Sequence, residues 1–385
     1  MKIAIVAPSP VPFVMGGAEG LWLSLQSYIN DETSHSCELI KLPAPEGNLL
    51  ELIRSYRRFT KLNLDHFDQV ITGKYPAWMI EHRCHSIYML HKMRGLYDLY
   101  HLANQPLDFD FRAKHAEKIH DLIENIRYVD SRENKNIGAI FDAVEDYLTS
   151  SLIMPADLKI PNPLARYILH FLDSYALHPG RIRSYFAISE TVKKRENYFP
   201  DGVPVTVFHP PARKIPYYCE TYRDLFTVSR LTKLKRVNKL IEAMAYVEAD
   251  IKLYIAGSGP EEARLRAMAS KDSRIIFLGN ITTDELLKRY ATALAVPFIP
   301  YDEDYGLVTL EAMLSSKPVI TTNTSGGVRE LVDSGETGLV VTEDKFELAA
   351  AIDYFSTSGT RAEAMGVRAL EKGRQISWAN MARML

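Results

Sequence analysis

Two glutamates stand eight positions apart in Glu303-Asp304-Tyr305-Gly306-Leu307-Val308-Thr309-Leu310-Glu311. The first falls in a loop after an apolar strand pattern, the second on the helix that opens near Gly306. Carboxylate oxygens accept charge-assisted hydrogen bonds from vicinal hydroxyls. A helix N-terminus offers unsatisfied N–H groups and the positive end of its dipole to an anion. Glu303, Glu311, Tyr305 and the backbone of Gly306, Leu307 and Val308 are therefore candidates to hold phosphate, ribose and hexose hydroxyls together. An ordinary acidic surface helix can show the same spacing, so the rest of the chain must decide.

Four further groups could bear chemistry. Val228-Ser229-Arg230-Leu231-Thr232-Lys233-Leu234-Lys235 places Arg230 and Lys235 just past a strand pattern and before a helix. An Arg fork and a Lys point charge are what a departing diphosphate needs as its charge grows, although isolated surface cations are the commoner fate of such residues. Ala256-Gly257-Ser258-Gly259-Pro260 is a second strand-to-helix turn; alone it suggests a dinucleotide site, but Glu262 stands where the third glycine would be. Gly16 and Gly17 follow the first strand pattern, and His91 follows Ser86-Ile87-Tyr88-Met89-Leu90. In open α/β sheets ligands gather beyond the carboxyl ends of strands, which favours both places, whereas His82 and His85 read as structural or solvent-facing. Asp108-Phe109-Asp110 has a D-x-D form but stands beside a predicted helix, and no metal ligation is expected there.

The elements that must position these residues alternate. Strands are expected at Ile3–Ala7, bounded by Pro8, then at Gln69–Thr72, Ser86–Leu90 and Tyr185–Glu190, with a helix Thr191–Tyr198 and a short strand leading to His209. A largely helical stretch runs from Arg112 to Tyr175. The later half shows six strand patterns at Leu225–Ser229, Ile251–Ala256, Ile275–Leu278, Leu294–Ile299, Pro318–Thr322 and Gly338–Val341, with helical patterns between them and to the end. That alternation predicts an α/β protein of two doubly wound, Rossmann-like domains, residues 1–205 and 206–370, with a last helix at 371–385.

Composition sets the outer bounds. The 385 residues are 46% hydrophobic and 24% charged with a formal net charge of −2, which suits a globular protein and gives no electrostatic case for nucleic acid. Cys37, Cys84 and Cys219 form no C-x-x-C pair, so a reducing cytoplasm is the expected setting. Met1–Ala7 is too short for a signal core before the prolines, and no run of apolar residues is long enough to span a membrane. Arg54-Ser55-Tyr56-Arg57-Arg58-Phe59-Thr60-Lys61 is basic and aromatic, which suits either a solvated helix face or peripheral contact with the inner face of a membrane or a lipid-linked acceptor.

In Glu303 to Glu311, Lys317-Pro318-Val319-Ile320, Arg230 to Lys235 with Leu240-Ile241-Glu242-Ala243, Ala256 to Pro260 and Gly16-Gly17-Ala18-Glu19, the chain resembles retaining glycosyltransferases of family 4. The matches follow one another in order across most of 210–342 and are scattered before that. The resemblance implies the GT-B fold, two domains facing each other across a cleft, and no cofactor or metal. It implies a nucleoside-diphosphate sugar as donor, a UDP-hexose such as UDP-glucose before GDP-mannose, and a saccharide or lipid-linked saccharide acceptor in cell-surface or exopolysaccharide synthesis. Arg230 and Lys235 would then face the diphosphate, Gly16 and Gly17 the donor phosphate and acceptor, His91 and Glu303 the transferred sugar, and Glu311 the ribose. Gly257 would line the turn, and Gly279, Asn280 and Ile281 would meet the base through backbone. Ser229, Arg236 and Ser316 depart from the pattern, standing where the family usually has Gly. A phosphorylase of the same fold, or a sugar-binding protein without turnover, are the alternatives.

Overall fold

The computed structural model describes residues 1–11, 16–127 and 137–384. The chain divides into two units, one of Met1–Ile188, Val192–Phe208 and the residues from Ala382 on, the other of Ser189–Thr191 and His209–Met381. Each is built on a six-stranded sheet whose strand pairs are all parallel.

In the first unit the strands are β1 (Lys2–Ser9), β2 (Ser36–Pro43), β3 (Gln69–Lys74), β4 (His85–His91), β5 (Ser184–Ala187) and β6 (Val205–Val207), in the order β2-β1-β3-β4-β5-β6. β1 does not stop at its proline. The Ser9 carbonyl accepts from Ala44 N–H on the β2 side, so Pro8 turns its nitrogen to the other side, where the ladder with β3 has ended at Ile5. β2 has no counterpart among the expected strands: its apolar residues are interrupted by Glu38 and Lys41, and it lies half exposed at the sheet edge. The helix Gly17–Glu32 buries Leu21, Trp22, Leu25 and Ile29, one face at helical spacing. The helix expected over Thr191–Tyr198 is a single turn, Glu190–Lys193, after which Asn197 takes a left-handed φ of 60°.

The second unit holds β7 (Asp224–Val228), β8 (Leu253–Ala256), β9 (Ile275–Gly279), β10 (Ala293–Pro297), β11 (Val319–Thr322) and β12 (Gly338–Val341), and all six match the apolar runs of the sequence. Their order, β12-β11-β10-β7-β8-β9, reverses direction between β7 and β10. The loops leaving the carboxyl ends of those two strands diverge there, which opens a crevice. Successive side chains of a strand point to opposite faces. Leu225, with Leu253, Ile255 and Ile320, packs on Leu240, Met244, Ile352 and Phe355, whereas Phe226, with Val296 and Val319, packs on Tyr290, Ala312 and Val328. The second cluster lays the helices Thr283–Thr292 and Leu307–Leu314 on one face, and so fixes where Tyr290 and Glu311 lie.

Candidate active site

The crevice of the second unit is drawn together by backbone. Beyond β7, Ser229 N–H donates to the Ala256 carbonyl at 3.1 Å and Leu231 N–H to that of Ser258 at 2.9 Å, and Lys233–Lys235 form a 3₁₀ turn. From the end of β10, Tyr301 N–H reaches the Leu234 carbonyl at 2.7 Å and Asp302 N–H that of Thr324 at 2.8 Å. These ties carry Glu303 to the turn, where Lys235 Nζ donates to its Oε2 at 2.6 Å. The two side chains keep 21% and 24% of their surface open, so the pair is accessible to a ligand. Arg230 is exposed, and its side chain makes no hydrogen bond or ion pair among the described residues. One cation of the expected pair is thus committed and the other is not.

Glu311 has the opposite surroundings. It is buried, its Oε2 accepts from the Tyr290 hydroxyl at 3.0 Å, and its Oε1 lies 3.8 Å from an Arg213 nitrogen. Burial pushes its carboxyl up, against the pull of Arg213 and of the phenols of Tyr290 and Tyr217. Tyr217 faces the same group: its buried hydroxyl makes no hydrogen bond of ordinary geometry among the described residues, yet lies near enough to favour the carboxylate. Beside it lies a cavity of about 210 Å³ lined by Arg213, Val228, Gly257, Asn280, Ile281 and the start of the helix Thr283–Thr292.

The other candidates of this unit sit around the same crevice. Gly257, at φ 107°, donates its N–H to the Gly279 carbonyl at 2.7 Å. Gly306, at φ 92°, precedes the helix Leu307–Leu314, and a side chain there would come within 2.6 Å of Val328. Among the described residues no side chain caps that helix, so Leu307 and Val308 stand at an N-terminus whose donors are available to an anion. Tyr305 is buried with its ring stacked on His209 at 5.3 Å. Of the three departures from glycine, two are now physical: Arg236 and Ser316 take φ of 52° and 58°, whereas Ser229 has no positive φ. The Arg236 guanidinium is engaged with Thr324 at 2.7 Å and Glu343 at 3.4 Å.

In the first unit His91 closes β4, and its Nδ1 lies 2.7 Å from the Lys92 carbonyl. That contact assigns the proton to Nδ1 in the neutral ring. Lys92 is buried and donates to the Asn197 carbonyl at 2.7 Å; burial lowers it to about 8, with Asp173 opposing. Asp173, wholly buried, accepts from Tyr56 at 2.8 Å, Trp78 at 2.8 Å and Tyr97 at 2.7 Å, a network that nothing in the sequence announced. Gly16 N–H donates to Glu19, the acid of its own helix, at 3.2 Å, so the Gly16–Gly17 turn is partly satisfied from within; residues 12–15 before it lie outside the described ones. His82 and His85 are both buried, the structural half of their expectation, and burial lowers His85 to about 3. In the basic stretch, Arg57 pairs with Asp142 at 2.7 Å and Glu145 at 3.0 Å, while Tyr56 and Phe59 are core residues. Asp110 accepts from Ala113 N–H at 2.9 Å.

Of the candidates named from the sequence, Gly16, Gly17 and His91 lie in the first unit and the rest in the second, whereas Arg213, Tyr217 and Tyr290 around Glu311 were not named. The available signal was indirect, since a carboxylate on a buried helix face must find partners.

Residues 213–372, most of the second unit, match the model of the family described as Glycosyl transferases group 1. A 124-residue stretch is 32% identical to the N-acetyl-alpha-D-glucosaminyl L-malate synthase of Bacillus anthracis, covering 31% of this chain and 32% of that protein. A 174-residue stretch is 33% identical to the D-inositol 3-phosphate glycosyltransferase of Corynebacterium efficiens, covering 41% and 40%. The chain spans less than half the length of these curated relatives. The crystal structure of Anabaena HepE in complex with UDP and glucose matches over 100% of this chain and 98% of its own, with a TM-score of 0.63 at 15% identity. The fold is the α/β, two-domain GT-B fold.

Proposed function

We propose that this protein is a retaining glycosyltransferase of the family 4 type, moving a hexose from a UDP-hexose such as UDP-glucose to an acceptor hydroxyl in cell-surface polysaccharide synthesis. The observation that carries the proposal is the 2.6 Å contact of Lys235 with Glu303, with the uncommitted side chain of Arg230 on the same loop as Lys235 and a helix N-terminus following Glu303 in the chain. Cations and backbone donors suit a diphosphate, and a half-open carboxylate suits sugar hydroxyls. Arg230 and Lys235 then compensate the charge that grows on the leaving diphosphate, without a metal or cofactor. The N–H groups of Leu307 and Val308 hold phosphate and sugar oxygens, Glu303 the hexose hydroxyls and Glu311 the ribose. Gly279, Asn280 and Ile281 border the base. In the first unit, His91 keeps the role the resemblance gives it, with its tautomer set by the Lys92 carbonyl. Support for the activity class comes from the matched family domain, and support for a UDP donor from the UDP and glucose of the HepE structure. The cysteine count supports a cytoplasmic setting.

The test is a thermal-shift panel of UDP, GDP and ADP with their common sugars, followed by release of the nucleotide from the best donor. A ligand that binds the folded state alone raises its melting point. A shift with the UDP pair and UDP release from UDP-glucose support the proposal. A shift with GDP-mannose alone replaces the donor, binding without turnover makes the protein a nucleotide-sugar binder, and no shift in folded protein overturns the proposal.

A further inference from the structure

Arg213 is common to two features of the second unit: it lines the 210 Å³ cavity, and it is the only cation that acts on the buried Glu311 among the described residues. The geometry of the carboxylate is divided. Oε2 is committed to Tyr290 at 3.0 Å, whereas the 3.8 Å from Oε1 to the guanidinium is an ionic contact longer than a hydrogen bond. Oε1 therefore keeps acceptor capacity for a ligand hydroxyl. The buried Tyr217 hydroxyl, which makes no hydrogen bond of ordinary geometry among the described residues, faces the same pair as a further polar group.

We propose that Arg213 is a positioning residue of the nucleotide site, holding the Glu311 carboxylate with one oxygen on Tyr290 and the other presented to the vicinal hydroxyls of a ribose. The proposal rests on the assignment of this crevice to a nucleoside-diphosphate sugar. An uncompensated carboxylate in so dry a place takes up a proton, and a protonated acid no longer accepts two hydroxyl donors. The groups that face Glu311 are Arg213 and Tyr217 from the segment before β7 and Tyr290 from the helix Thr283–Thr292. Its own helix, Leu307–Leu314, has no other titratable residue, and among the described residues no charged group of the helices Val328–Leu331 and Gly359–Arg374 packed on it acts on the carboxylate. Burial raises the carboxyl and Arg213 is the first influence opposing it, so loss of the guanidinium raises it further.

The experiment is calorimetric titration of the full chain with UDP and with 2′-deoxy-UDP at about pH 6 and about pH 8.5, for wild type, Arg213→Met and Arg213→Lys. Wild type should prefer UDP over the deoxy compound by about tenfold at both pH values, the worth of a charge-assisted hydrogen bond. Arg213→Met should bind UDP about tenfold more weakly at the lower pH and lose most of that preference, regaining both at the higher pH as Glu311 ionises. Arg213→Lys should resemble wild type. Arg213→Met that binds UDP as wild type does, or loses affinity equally at both pH values with the preference intact, overturns the role of Arg213 and leaves the donor assignment standing. Wild type that binds no UDP overturns the donor assignment and this inference together.

Discussion

The two carboxylates of the Glu303–Glu311 stretch illustrate how one spacing can serve two physical ends. Glu303 is on a loop, a quarter exposed, and accepts from the Lys235 ammonium at 2.6 Å. Glu311 is seated in the core of its helix face, fixed by a phenol and approached by a guanidinium from one side. An exposed ion pair contributes only about 0–1 kcal/mol, because water and salt screen it and both side chains lose freedom. The buried carboxylate is held at the cost of its hydration. Glu303 is therefore built to exchange partners and Glu311 to keep a fixed shape, a difference invisible in two identical letters.

Substitutions that remove charge while keeping shape should separate the two. Glu303→Gln should lower turnover by about 100-fold or more, as expected when a polar group that acts in the transition state is lost, with a melting temperature within about 1 °C of wild type. Steady-state kinetics and a melting curve on one preparation check both; near-normal turnover would remove Glu303 from the mechanism. Glu311→Gln should act the other way on stability. Its folded-state pKa is raised above the unfolded value, so the carboxyl favours the fold most when protonated, and that contribution is lost as pH rises through the folded value. Replacing it should raise the melting temperature by roughly 2 °C at neutral pH, with the gap closing as pH falls. A variant less stable at neutral pH would show that Arg213 and Tyr290 outweigh the burial. Smallest in effect, Ser316→Gly relieves a left-handed φ of 58° and should stabilise by about 0.5–1 kcal/mol in a denaturant titration. No change would mean that losing the Ser316 hydroxyl, 3.4 Å from that of Tyr222, offsets the relief.

What could be read in advance follows from the physics of each element. The six strands of the second unit were legible because strands buried on both faces read as continuous apolar runs. β2 was not, since an edge strand with Glu38 and Lys41 carries no such run. Pro8 misled because a proline stops a strand only where its missing N–H is needed by a neighbour. In the site, Arg230, Lys235, Glu303 and Glu311 were legible as residue types at fixed offsets from strand ends. Arg213 and Tyr290 reach Glu311 only through the sheet order and through the face on which Phe226 and Val319 pack, and no local pattern encodes that meeting. The departures at Arg236 and Ser316 were visible as letters, but only their backbone angles explain why a glycine suits those positions.

The Lys235–Glu303 contact also bears on how the proposed donor would be told from its fragments. Each side chain satisfies the other, so a ligand that engages only one of them leaves its partner without a counter-charge. A lone sugar would take Glu303 and strand the ammonium; a lone diphosphate would take Lys235 and strand the carboxylate. An intact nucleotide sugar carries both complements on one molecule and can replace the pair at a single stroke. For the proposed donor, the contact would then work as a logical AND built from one hydrogen bond, favouring the whole molecule over its fragments.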